Sequence, residues 1–96
     1  MFIAIAQFPK ITEGKEKEFL EWFAWSNEEF AKFKGFIRRR LLKPQGGGNY
    51  AVLIEFETFE DFRAVGESPF HAVSAQRVKQ MMEGAPVPVS YVEVMG

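Results

Sequence analysis

The chain contains no cysteine and only one histidine, His71. Without cysteine there are no disulfides, no thiolate nucleophile and no sulfur-ligated metal, which fits a reducing compartment. One imidazole and scattered carboxylates are too few donors for a metal site, so none is expected. An excess of charge of either sign is also missing: 12 Lys and Arg stand against 13 Asp and Glu, a net charge of −1. That balance gives no general attraction to nucleic acid or to an anionic membrane. The one basic cluster, Arg38-Arg39-Arg40, falls in a segment that reads as strand. Alternation there divides it between two faces, whereas nucleic-acid affinity needs many phosphate contacts. Long apolar runs are absent as well. The opening MFIAIAQFP has no basic lead, breaks at Pro9 and is too short to span a bilayer. These absences lead to the expectation of a cytoplasmic protein with neither a membrane nor a nucleic-acid partner, folded as a single domain over residues 1–96.

What the chain has in abundance is phenylalanine, 11 in 96 residues. So many rings imply either an unusually aromatic core or an apolar surface that meets a partner. The run FIAIAQF at residues 2–8 reads as a strand stopped by Pro9. From about Glu13 to Phe33 the positions Phe19, Leu20, Phe23, Ala24, Asn27, Phe30 and Ala31 trace a helical stripe that Gly35 ends. Trp22 and Trp25 sit on a second face of that helix. Phe36 to Leu42 reads as a second strand, and Tyr50 to Glu57 as a third. The glycine-rich PQGGGN between them is a hairpin turn, because a phosphate cradle would be followed by a helix rather than a strand. Thr58 caps a short helix with Asp61 three positions on, and Gly66 interrupts it. Ser68 and Pro69 restart a helix that is expected to run to about Met82. Ala85-Pro86-Val87-Pro88 reads as a stiff connector, and Val89 to Met95 as the last strand.

The order β-α-β-β-α-β predicts an α+β, ferredoxin-like fold with an antiparallel sheet. Strand parity adds a prediction about assembly. Phe2, Ala4, Ala6 and Phe8 oppose Ile3 and Ile5, while Tyr50, Val52, Ile54 and Phe56 oppose Ala51 and Leu53. Both faces are apolar at mid-strand, yet two helices cover only one of them. The other face is expected to pack on a second copy, giving a homodimer through sheet faces.

Over nearly its whole length the chain resembles the antibiotic-biosynthesis-monooxygenase-type (ABM) dimeric α+β barrel proteins. The resemblance is carried by KGFIRRRLLKP, NYAVLIEFETFEDFRAV, SPFHAVSAQR and the terminal VSYVEV. It implies a sheet-packed dimer and a monooxygenase that uses neither metal nor flavin. Its ligand would be a small, hydrophobic, planar molecule of quinol or anthrone type held between sheet and helices. The family also includes haem-degrading enzymes, which use an Asn on the first strand, a Trp late in the third and a His in the last helix. Those positions fall here near Ala4, on Phe56 and on Ser74, and His71 lies one turn before Ser74. Haem bound through His71 is therefore one alternative, and a non-catalytic binding or assembly domain of the same fold is another.

Cofactor-free oxygenation needs a substrate anion that can pass an electron to O2. His71 is the candidate base, since imidazole alone among side chains titrates near neutrality without help. Ala4, Ala6 and Phe56 share the face turned to the helices, where small residues beside a ring leave room for a flat ligand. Trp22 and Ser74 join them as candidate substrate contacts. Arg38 is the candidate for holding an anionic group, unless it pairs with Glu55 or Glu57 on the neighbouring strand.

Overall fold

The structure, a computed structural model, describes all 96 residues. Strands β1 (Phe2–Gln7), β2 (Phe36–Leu42), β3 (Ala51–Phe56) and β4 (Val87–Val92) form one sheet in the order β2-β3-β1-β4. Every pairing is antiparallel. Helices α1 (Glu16–Phe30), α2 (Phe59–Gly66) and α3 (Pro69–Lys79) complete the α+β ferredoxin-like fold. The helix breaks follow local chemistry. Thr58 Oγ1 accepts a hydrogen bond from the Asp61 amide at 3.1 Å, and Ser68 Oγ accepts one from the His71 amide at 3.3 Å with Pro69 beginning α3. Gly35, at φ +80°, makes the turn from α1 into β2; a Cβ there would lie 2.2 Å from Asp61 Oδ2.

Several boundaries differ from expectation, among them the end of β4 at Val92 rather than Met95. Helix α3 ends at Lys79, and Met82 instead bridges Ile11. β4 begins at Val87, so Pro88 lies within a strand, opposite Ala6. This is tolerated because β4 is an edge strand, where a missing N–H breaks no inner ladder.

The core lies between the sheet and the helices. Phe2, Ala4, Phe8, Val52, Ile54 and Phe56 from the sheet meet Phe19, Trp22, Phe23 and Phe30 from α1 and Val65 and Val78 from the other helices. The buried stripe of α1 is Phe19, Trp22, Phe23, Ser26 and Phe30, whereas Leu20, Ala24 and Ala31 are exposed. The helix is thus rolled from its most apolar line so that the bulky Trp22, rather than Leu20 or Ala24, fills the space above the sheet.

A bulge at the start of β2 sets the site. Phe36 pairs with Phe56 and Arg38 with the adjacent Glu55, so Ile37 is an extra residue. Beyond it, Arg39 pairs with Ile54 and Leu41 with Val52, on the helix side. Arg38, Arg40 and Leu42 take the other face. That face holds half-buried Ile3, Ile5, Ala51 and Leu53 and exposed Leu42, Val89 and Tyr91. Toward one end of this face Glu55, only 6% exposed, is paired with Arg38.

Candidate functional site

Five of the residues marked by the sequence come together in the layer between sheet and helices. Ala4, Trp22 and Phe56 belong to the core cluster, and Ala6 packs against it. Ser74, 5% exposed, lies beside Trp22, whose indole N–H donates to the Ser74 carbonyl at 3.0 Å and ties α1 to α3. Two marked residues lie elsewhere. His71 is exposed, and its ring has no hydrogen-bond partner in the chain. Residues three apart on a helix are neighbours, but they differ by about 60° around the axis. That rotation is enough to put Ser74 inside and His71 on the solvent shoulder. Arg38 is on the open face with Glu55.

The arginine that does enter the layer is Arg39, 7% exposed. Its Nη1 donates to Ser26 Oγ at 2.8 Å and to Asn27 Oδ1 at 3.4 Å, and Ser26 Oγ in turn donates to the Phe23 carbonyl at 2.9 Å. The guanidinium carbon lies 4.2 Å from the Phe23 ring centroid, 4.5 Å from Phe30 and 5.7 Å from Trp22. No carboxylate pairs with it, since the chain's ion pairs are all made by other residues. Its Nε–H is buried without an acceptor. Burial pulls the guanidinium pKa down to about 9, because the charged form has lost its water.

Arg39 also stands at a junction. One set of touching rings joins Phe8, Phe19, Trp22, Phe23 and Tyr50. A second runs from Phe2 through Phe62 and Phe56 to Phe30, then to Phe70. The guanidinium touches Trp22 and Phe23 of the first set and Phe30 of the second. Parity alone separated Arg39 from its neighbours. Which face it took depended on the bulge at Ile37, because unbroken alternation from the inward Phe36 would have turned Arg39 outward.

Two depressions open on the surface. One of about 460 Å³ runs along the outer side of α3 past Val73, Gln76, Arg77 and Met81. The other, of about 160 Å³, lies near Lys43 and Tyr50. No group of His, Asp and Glu side chains is placed to hold a metal ion, and no helix is long and apolar enough to cross a membrane.

Residues 1–81 match the sequence profile of the antibiotic biosynthesis monooxygenases. The chain belongs to that family. Among solved structures, it superposes on SnoaB, a cofactor-independent oxygenase from Streptomyces nogalater, with a TM-score of 0.84 at 19% identity, covering 99% of this chain and 94% of that one. It is also similar to MhuD, the haem degrader from Mycobacterium tuberculosis whose structure holds two haems in its active site. That match has a TM-score of 0.76 at 22% identity, covering 100% and 98% of the two chains. A conserved protein from Methanosarcina mazei matches with a TM-score of 0.83 at 14% identity, over 95% and 91%. No curated protein matches the chain in sequence. At these identities the likeness is one of fold. In this chain the layer between sheet and helices holds a buried arginine, without a carboxylate partner, between two aromatic clusters.

Proposed function

We propose that this protein is a monooxygenase that works without metal or flavin on a planar, quinol- or anthrone-like molecule bound between α1 and the sheet. The observation that carries this reading is the continuous aromatic layer between sheet and helices, with Arg39 as the one charge inside it. Rings that meet at tilted and edge-on angles make a surface on which a flat ligand can stack, and an apolar layer admits O2 while excluding water. The chemistry needs only the substrate's own electrons. A substrate methylene or ring carbon beside a hydroxyl or carbonyl loses a proton, and the anion passes one electron to O2. The two radicals combine as a carbon-bound peroxide, and loss of water leaves a carbonyl. Overall a CH2 becomes C=O, with one oxygen atom of O2 in the product and the other in water.

The lone imidazole of His71, exposed near the start of α3, relays the departing proton to solvent in this scheme. His71→Ala should therefore slow turnover several-fold without abolishing it. His71, the chain's one imidazole, is exposed and lines neither depression. The apolar outer face of the sheet, with Ile3, Ile5 and Leu53, supports a dimer built on that face. Oxygen uptake with a panel of anthrones and quinols, in the presence of a metal chelator, tests the activity. Uptake that depends on the protein and leaves one labelled oxygen atom in the product is expected. The absence of uptake across the panel would sink the reading.

A further inference from the structure

Arg39 is an expensive residue to keep where it is. A buried charge normally has an opposite charge or a full set of hydrogen bonds, since the desolvation penalty otherwise stands uncompensated. Here Nη1 is satisfied by Ser26 and Asn27, and the flat faces of Phe23 and Phe30 lie against the cation. What is missing is an anion, and an acceptor for Nε–H. No neighbouring carboxylate supplies one: Glu55 lies on the opposite face, paired with Arg38, and the strand partner of Arg39 is Ile54. The groups of α1 that touch the guanidinium are Trp22, Phe23, Ser26, Asn27 and Phe30, none of them acidic. Half-buried Asn27 is the most exposed of these, so it marks the way in from solvent.

We propose that Arg39 receives the ionised oxygen of the substrate, so that the molecule bound in this layer is a phenolate or enolate whose O⁻ accepts the free Nε–H. A flat ring entering past Asn27 parts the two aromatic clusters at the point where Arg39 already joins them, and its oxygen meets the cation there. The ring then stacks on Phe23 or Phe30, and the hydroxyl proton leaves to solvent. Arg39 thereby fixes where the hydroxyl or enol oxygen of that quinol- or anthrone-like substrate sits. This inference rests on the monooxygenase reading above, from which it borrows the location of the ligand.

The test uses 1,2-dihydroxyanthraquinone, whose phenolate is visibly red-shifted from its phenol, and unsubstituted anthraquinone as the neutral control. Both are titrated into wild type, Arg39→Met and Arg39→Lys, with folding of each variant checked by urea unfolding. In wild type the bound dye should ionise at a pH at least about one unit below that of free dye, because a nearby cation favours its anion. Arg39→Met should lose that displacement and bind the dye at least ~10-fold more weakly at a pH where it is ionised, while Arg39→Lys keeps most of the displacement. Anthraquinone should bind all three proteins alike. A bound dye that ionises as it does in water, or a displacement that survives in Arg39→Met, overturns the inference while leaving the monooxygenase reading intact. If neither compound binds the wild type, both readings fall together.

Discussion

Replacing Arg39 by methionine should make the folded protein more stable. The guanidinium is 7% exposed, and burial lowers its pKa to about 9. A displacement of that size corresponds to roughly 4–5 kcal/mol against the charged form, at ~1.4 kcal/mol per tenfold change in proton affinity. Against this stand the ring contacts, at about 0.5–2 kcal/mol each, and hydrogen bonds to Ser26 and Asn27, at roughly 1.5–3 kcal/mol each for a charged donor. With the Asn27 bond long at 3.4 Å, these terms are taken at their lower ends, about 4 kcal/mol together, which comes near to balance with the penalty. Methionine has a similar length, requires no partner and recovers apolar burial in the same slot. Substituting apolar groups for buried charges elsewhere ranges from neutral to a gain of about 1–4 kcal/mol. Little is orphaned by the change, since Ser26 Oγ retains its bond to the Phe23 carbonyl and half-buried Asn27 can turn to water. Urea unfolding near pH 7 should show a gain of about 1–3 kcal/mol, or ~4–8 °C in Tm per kcal/mol for a chain of this size.

The same experiment has a pH arm. Because the pKa of Arg39 is lower in the folded state than in the unfolded one, the penalty is felt in full below about pH 9. It lifts as pH rises through that value, where the fold can release a proton that the unfolded chain still holds. The advantage of Arg39→Met should therefore shrink by up to about 2 kcal/mol between about pH 7 and about pH 10.5. Other titrating groups are common to both proteins and cancel in the difference. A variant less stable than wild type by more than about 1 kcal/mol near pH 7 would refute the reasoning. So would an advantage that does not change with pH.

Gly35→Ala should destabilise by about 2–3 kcal/mol, part from the positive φ and part from the clash with Asp61. Because the Asp61 Cβ would also lie at 2.8 Å, the relieving background is Asp61→Gly, where the cost should fall to about 1 kcal/mol; a double-mutant cycle that shows no coupling would rule the clash out. Trp22→Phe removes the indole bond to the Ser74 carbonyl and should cost about 1–2 kcal/mol in urea unfolding. A loss below about 0.5 kcal/mol would mean that the bond does not tie α1 to α3. Ser68→Ala deletes the cap of α3 and should cost about 1 kcal/mol, read as a shift in Tm. Ile5→Lys, placed in the middle of the open face, should turn a dimer into a monomer in light scattering. An unchanged mass would place the interface elsewhere.

Much of the fold could be read from local pattern. The alternation of Phe2, Ala4 and Ala6 and of Val52, Ile54 and Phe56 gave the helix-facing side of the two central strands, because side chains in a strand change face at every residue. Thr58, Ser68-Pro69 and Gly35 marked helix starts and a stop through groups that act within a few residues. The roll of α1 was less legible. Leu20 and Ala24 are as apolar as a core stripe requires, and only the volume above the sheet selected Trp22 and Ser26 instead.

The site divides along the same line. From the amino-acid sequence alone come the element order, the antiparallel sheet and the separation of Arg39 from its two neighbours, all consequences of period, capping and composition. Only the tertiary structure decided that Arg39 faces inward while Arg38 pairs outward with Glu55, and that Ser74 is buried while His71 is not. The physical reason is that a one-residue bulge reverses the face of every side chain beyond it. A helix likewise turns a different line of residues inward according to what it packs against. Neither choice is contained in the local pattern, and together they decide which charge lies inside the aromatic layer.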